Sequence, residues 1–194
     1  MAGRPKTFDP DEVLDRALHL FWQRGYAATS LHALLEAMQI SRQSLYNTFG
    51  DKQTLYRQAL RRYEQQRFAQ VKHILGQPGP VLANIRGLLQ IWADLTAMHP
   101  FPGCFMHNTT IELGPHDSEW EAMGRRHLQV LEQIFVDALQ QAQAEGELPD
   151  ACPIERQARA LVTTFQGMLA LGKAGMDAAW VQDVVDAALA PLEG

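Results

Sequence analysis

The stretch TSLHALLEAMQISRQSLYNTFGDK, Thr29 to Lys52, decides the fold. Its first half carries Leu31, Leu34, Leu35 and Met38 at helical spacing, behind Thr29 as a capping residue. Gln39-Ile40 makes a tight turn, and Ser41 caps a second short helix in which only Leu45 and Phe49, four apart, look inward. Gly50 ends that helix, and Asp51 caps the next. The rest of the second helix is Arg42, Gln43, Ser44, Tyr46, Asn47 and Thr48. No acid occurs from Arg42 to Gly50. A merely solvated face has little reason to exclude one charge type, so this face is built to touch something negative.

Working outward, Asp9, Pro10 and Glu12 are a helix start, and Val13, Leu14, Ala17, Leu18, Phe21 and Trp22 make one stripe that Gly25 ends. Downstream, Leu55, Tyr56, Ala59, Leu60 and Tyr63 continue a longer helix to about Gly76. Two short helices joined by a tight turn and held between two supports are the parts of a helix-turn-helix DNA reader. Arg42, Gln43 and Asn47 are then candidates for base edges, since Arg matches guanine and Gln or Asn matches adenine. Ser44, Tyr46 and Lys52 suit phosphates. Lys52 opens a helix, where a cation opposes the helix dipole and a phosphate contact explains it. Thr29, at a helix start, is a further phosphate candidate. Arg4 and Lys6 belong to a basic arm that reads equally as a minor-groove contact or a free tail.

Charge supports this division. Of 17 Lys/Arg and 22 Asp/Glu, residues 1 to 62 hold nine and six, leaving eight and sixteen for the remainder. A mildly basic head precedes an acidic body, although the net charge is −5. Two cysteines are too few for a disulfide framework and fit a reducing compartment. No apolar run approaches the roughly 20 residues of a bilayer span, and MAGRPKTFDP lacks a signal peptide's apolar segment. A cytoplasmic protein with no membrane partner is expected. GQPGP, Gly76 to Pro80, is a linker signal. Beyond it, helical patterns cover about 81 to 98, 104 to 113, 117 to 145, 153 to 173 and 177 to 190, without period-two alternation. The expectation is an all-α fold of about nine helices: residues 1–63 a helix-turn-helix DNA-binding domain, residues 64–194 a larger helical body.

From Phe8 to about Tyr63 the chain resembles the TetR family of bacterial transcription regulators. The likeness rests on the phrase Phe21 to Gly25 with Tyr26, Thr29, Ser41, Ser44-Leu45-Tyr46, Phe49 and Lys52 followed by Leu55. It implies a homodimer whose third helices enter successive major grooves of a palindromic operator, usually to repress. It also implies DNA contacts at Thr29, Arg42, Gln43, Ser44, Tyr46, Asn47 and Lys52. Where the family has glycine in the turn, this chain has Gln39, which in a left-handed conformation costs on the order of 1 kcal/mol.

For the C-terminal body the resemblance implies dimerisation and a small-molecule effector, electrophiles included. Phe165, Met168, Leu169, Trp180, Val181, Val184, Val185 and Ala188 form stripes that alone would read as intramolecular core, and that the resemblance assigns to a four-helix interface between subunits. Trp92, Phe101, Phe105 and Phe165 are expected to line an effector pocket, with Asn108 and His127 as orienting polar groups. Cys104 follows a Pro-Gly turn at a helix N-terminus, where the dipole favours a thiolate. The rival function is a thiol-dependent enzyme using Cys104, with His107 or His127 as base. No Gly-rich phosphate loop or carboxylate pair accompanies it, and no catalytic residue, metal site or cofactor is assigned. Cys104 and His107 have the spacing of two metal ligands, but no second dense pair joins them.

Overall fold

The structure, a computed structural model, describes residues 8–98 and 100–193, all of them outside β-structure. Nine α-helices occur among them: α1 Pro10–Arg24, α2 Leu31–Met38, α3 Arg42–Phe49, α4 Lys52–Leu75, α5 Val81–Thr96, α6 Phe105–Leu113, α7 Ser118–Ala144, α8 Ile154–Lys173 and α9 Ala178–Glu193. A single 3-10 turn, Gly114–His116, separates α6 from α7. The chain divides into two compact units, one up to Gln65 and one from Gln66. GQPGP therefore joins α4 to α5 inside the second unit.

In the first unit the chain stops and restarts where cap chemistry dictates. Asp9 accepts from the Asp11 amide at 2.9 Å to open α1. Ser41 accepts from the Ser44 amide at 3.1 Å to open α3. The carboxylate of Asp51 takes the Thr54 amide at 2.7 Å at the head of α4. Between these ends Val13, Leu18, Phe21, Leu34, Met38, Leu45, Phe49, Leu55 and Leu60 are buried. Tyr56 meets Phe21 and Tyr26 edge-on, at 4.8 and 5.0 Å between centroids. Arg62 ties α4 to α1, bonding both carboxylate oxygens of Asp15 and reaching Asp11 at 3.0 Å.

Two features of this unit refine the sequence reading. Gln39 adopts φ 55°, ψ 40°, the left-handed conformation that the departure from glycine put in question. The cap of α2 is Ser30 rather than Thr29: the Ser30 hydroxyl accepts from the Ala33 amide at 3.1 Å. Thr29 is instead 0% exposed, its hydroxyl donating to the Gly25 carbonyl at 2.6 Å, where it seals the end of α1.

In the second unit α7 is the central rod, packed on α6, α8 and α5, while α5 also meets α8 and α9. Pro80 at the head of α5 has no side-chain acceptor, and Glu147 supplies one, taking the Val81 and Leu82 amides at 2.7 and 2.9 Å. Two helix pairs approach closely because a glycine stands at the crossing. A Cβ on Gly124 of α7 would lie 2.2 Å from Thr110 Oγ1, and one on Gly172 of α8 would lie 2.3 Å from Thr96 Cβ.

The interface expectation needs correction here. Phe165, Met168, Leu169, Val181 and Val185 are buried within their own chain and have no surface to offer a second subunit. Trp180 is 47% exposed, and Val184 and Ala188 are half-buried. The apolar stripe of α8 is consumed by α5 and α7, because a stripe records burial and not which partner provides it.

Candidate functional site

Burial of Leu45 and Phe49 pins one side of α3 and turns Arg42, Gln43, Tyr46 and Asn47 to solvent. With Ser41 these four line one open concavity. The Arg42 guanidinium lies 5.7 Å from the centre of the Tyr46 ring, one turn away, so each of these long side chains limits the other's freedom. Ser44 is half-buried, its hydroxyl 3.0 Å from that of Ser41. It thus holds the helix start as well as facing outward.

Lys52 is held rather than free. Its Nζ donates to the Tyr26 carbonyl at 2.7 Å and lies 4.2 Å from the Tyr26 ring centre. Burial, and then the nearby Asp51 charge, push the Tyr26 phenol above its ordinary range, so the ring stays neutral beneath the ammonium. Asp51, the acid nearest the α3 face, is turned into its own helix. The amide and hydroxyl of Thr54 hold its carboxyl below the usual carboxylate range. Thr29 is corrected: a fully buried residue presents neither hydroxyl nor amide to a phosphate, and Ser30 is the exposed residue at that helix start. Arg4 and Lys6 lie outside the described residues.

The effector candidates are only partly brought together. Trp92, Phe105 and Phe165 are core, with Trp92 edge-on to Phe165 at 5.5 Å and the Arg67 guanidinium 3.8 Å above the Trp92 ring. Phe101 is half-buried. Asn108 is occupied at both ends, donating to the Pro102 carbonyl and accepting from Lys173 Nζ, each at 2.8 Å. Cys104 caps α6, its sulfur 3.5 Å from the His107 amide and 3.9 Å from His127 Nε2. The thiol is 3% exposed and His127 2%, with the imidazole stacked on Phe68 at 5.0 Å. Burial first, then the Lys173 charge, lower the His107 pKa.

A cavity of about 230 Å³ opens between α6, α7 and α8, walled by Met106, Thr110, Gly124, His127, Leu128 and Gln166 among others. Of the residues expected around an effector, His127 stands on this wall. Sequence reasoning missed Gln166, whose amide nitrogen and oxygen are both buried without a partner in the protein. Each such atom costs about 1–3 kcal/mol. The available signal was a lone amide between Phe165 and Gly167, within an otherwise apolar run. Among the described residues no three His, Cys, Asp or Glu side chains converge on a metal-sized point, and no helix is long and apolar enough to cross a membrane.

A helix-turn-helix with an acid-free reading face, followed by a helical body enclosing a cavity, defines a class: DNA-binding transcription regulators. The chain belongs to the TetR family. Residues 13–59 match the model for bacterial regulatory proteins of the tetR family, and residues 81–188 match that for the tetracyclin repressor-like C-terminal domain. The HTH-type regulator YezE of Bacillus subtilis is 35% identical over 193 residues, covering 98% of this chain and all of YezE. The HTH-type transcriptional repressor ComR of Escherichia coli is 34% identical over 174 residues, covering 86% of this chain and 80% of ComR. A cysteine variant of the TetR family regulator CifR, complexed with 26-bp operator DNA, superimposes with a TM-score of 0.85 at 30% identity, covering 96% of this chain and 98% of CifR.

Proposed function

We propose that this regulator is a repressor that binds a palindromic operator as a homodimer and releases it when a small effector occupies the second unit. The observation that carries the proposal is the α3 face: Arg42, Gln43, Tyr46 and Asn47 stand out from a helix anchored by Leu45 and Phe49, with the nearest acid folded back as a cap. Arg42, Gln43 and Asn47 read base edges, while Ser44, Tyr46 and Lys52 hold phosphates. Two α3 helices must sit about one DNA turn apart, roughly 34–36 Å, so an effector that alters their separation weakens binding. Repression is supported by ComR, named a repressor, and operator binding by CifR, solved on operator DNA.

The dimer surface on this reading is the outward side of α8 and α9, with Trp180, Val184 and Ala188 as its apolar part and Gly167 allowing close approach. The effector may not be inferred from the buried aromatics; the cavity beside His127 is the better site. Electrophile sensing is a second reading, favoured by one contact: the Cys104 thiol lies 3.9 Å from His127, which stands on the cavity wall.

Mobility shift against DNA flanking the gene tests the main reading. Sequence-specific, salt-sensitive binding is expected, with loss of affinity in the Arg42→Ala/Tyr46→Ala double variant. Unchanged affinity in that variant would refute it. Exposing the Cys104→Ser variant to a thiol-reactive compound separates the two effector readings, because only a covalent sensor loses its response.

A further inference from the structure

The structure assigns a ligand class to the cavity between α6, α7 and α8: a small, uncharged, mainly apolar molecule ending in a primary amide, recognised by Gln166. This rests on reading the second unit as effector-binding. The wall is largely hydrocarbon, from Met106, Leu128 and the bare backbone of Gly124. Most polar groups around it are already committed. Thr110 donates its hydroxyl to the Met106 carbonyl at 2.9 Å, and Glu121 and Arg125 pair with each other at 2.5 Å. His127 is stacked on Phe68 and in contact with Cys104. Gln166 differs, because its donor and its acceptor are both buried and neither has a protein partner.

Those two atoms sit side by side on one planar carbon, and the group that satisfies both at once is another amide. Its carbonyl accepts from Nε2 while its N–H donates to Oε1. An alcohol can engage the pair less completely, and a hydrocarbon neither atom. A carboxylate would accept from Nε2 but set its negative charge against Oε1, after being stripped of water. The amide plane of Gln turns about a broad, soft terminal torsion, so it can swing from its buried position to meet a ligand. Size sets the rest: a cavity of about 150 Å³ accommodates benzene, so 230 Å³ suits about nine non-hydrogen atoms. Benzamide has that size and that end group.

Calorimetric titration of the full chain with benzamide, benzyl alcohol, benzoate and ethylbenzene tests the assignment. Benzamide should bind one per chain, at least tenfold tighter than the other three. Gln166→Leu, which removes two unpartnered polar atoms and so should fold at least as stably, should weaken benzamide at least tenfold and spare ethylbenzene. Failure of benzamide to bind, equal binding by the variant, or tighter binding of benzoate would overturn the assignment. A parallel mobility shift keeps the two proposals apart. Benzamide weakening operator binding in the wild type and not in Gln166→Leu supports both. Benzamide bound through Gln166 with operator affinity unchanged leaves the ligand class standing and removes the effector role.

Discussion

Gln39 carries the turn between α2 and α3 in a left-handed conformation that the other described residues at positive φ leave to glycine. An L side chain there costs roughly 1–2 kcal/mol. Its amide oxygen recovers part of that by lying 3.3 Å from Arg16 Nη1. In urea denaturation Gln39→Gly should therefore exceed Gln39→Ala in stability by about 1 kcal/mol; equal midpoints would contradict the left-handed turn. The two kinds of DNA contact proposed for this unit also separate at single residues. Lys52→Met should weaken binding to all sequences alike and reduce the slope of log affinity against log salt by about 0.9, the value of one phosphate contact. Asn47→Ala should leave that slope unchanged and relax preference at one base pair, by about 1–3 kcal/mol. A change of slope for Asn47→Ala, or of sequence preference for Lys52→Met, would reverse the assignments. The turn was legible because a single residue broke a glycine position. The swap between Thr29 and Ser30 was not, since adjacent hydroxyls both cap well and the spacing of Leu31, Leu34 and Met38 tolerates either start.

Among the helices, starts and stops follow from local chemistry and pairings do not. Asp9, Ser41 and Asp51 announce their helices, and Gly25 and Gly50 end theirs at positive φ, all within a few residues of chain. The cap of α5 comes from Glu147, 66 residues from Val81, and no short-range pattern predicts it. The crossing of α6 and α7 is likewise non-local, resting on Gly124 opposite Thr110. Gly124→Ala should destabilise the protein by about 1–3 kcal/mol through overpacking. Adding Thr110→Ala removes the hydroxyl and methyl that the new Cβ would strike, so the double variant should recover part of the loss. Additive losses in thermal melts would mean that the two positions do not limit this crossing. Gln166 escaped notice for the same reason as Glu147: its significance lies in what fails to reach it across α6 and α7.

For the whole molecule, the decisive question is which apolar residues hold one chain together and which remain to join two. The stripes of α8 and α9 looked alike in sequence, yet Met168 and Val181 are fully buried while Trp180 is 47% exposed. A charge placed on each kind should therefore fail differently. Met168→Glu buries an unpaired carboxylate and should unfold the chain, visible as loss of helical signal. Trp180→Glu combined with Val184→Glu changes surface only, so helicity should persist while light scattering falls from dimer mass to monomer mass. Operator affinity should drop with it, because a monomer engages one half-site and forfeits the second set of phosphate contacts, which also roughly halves the salt slope. If the double variant stays dimeric, the subunits meet elsewhere than on the outward side of α9. If it becomes monomeric yet keeps full operator affinity and slope, a single head is the DNA-binding species and the palindromic reading fails.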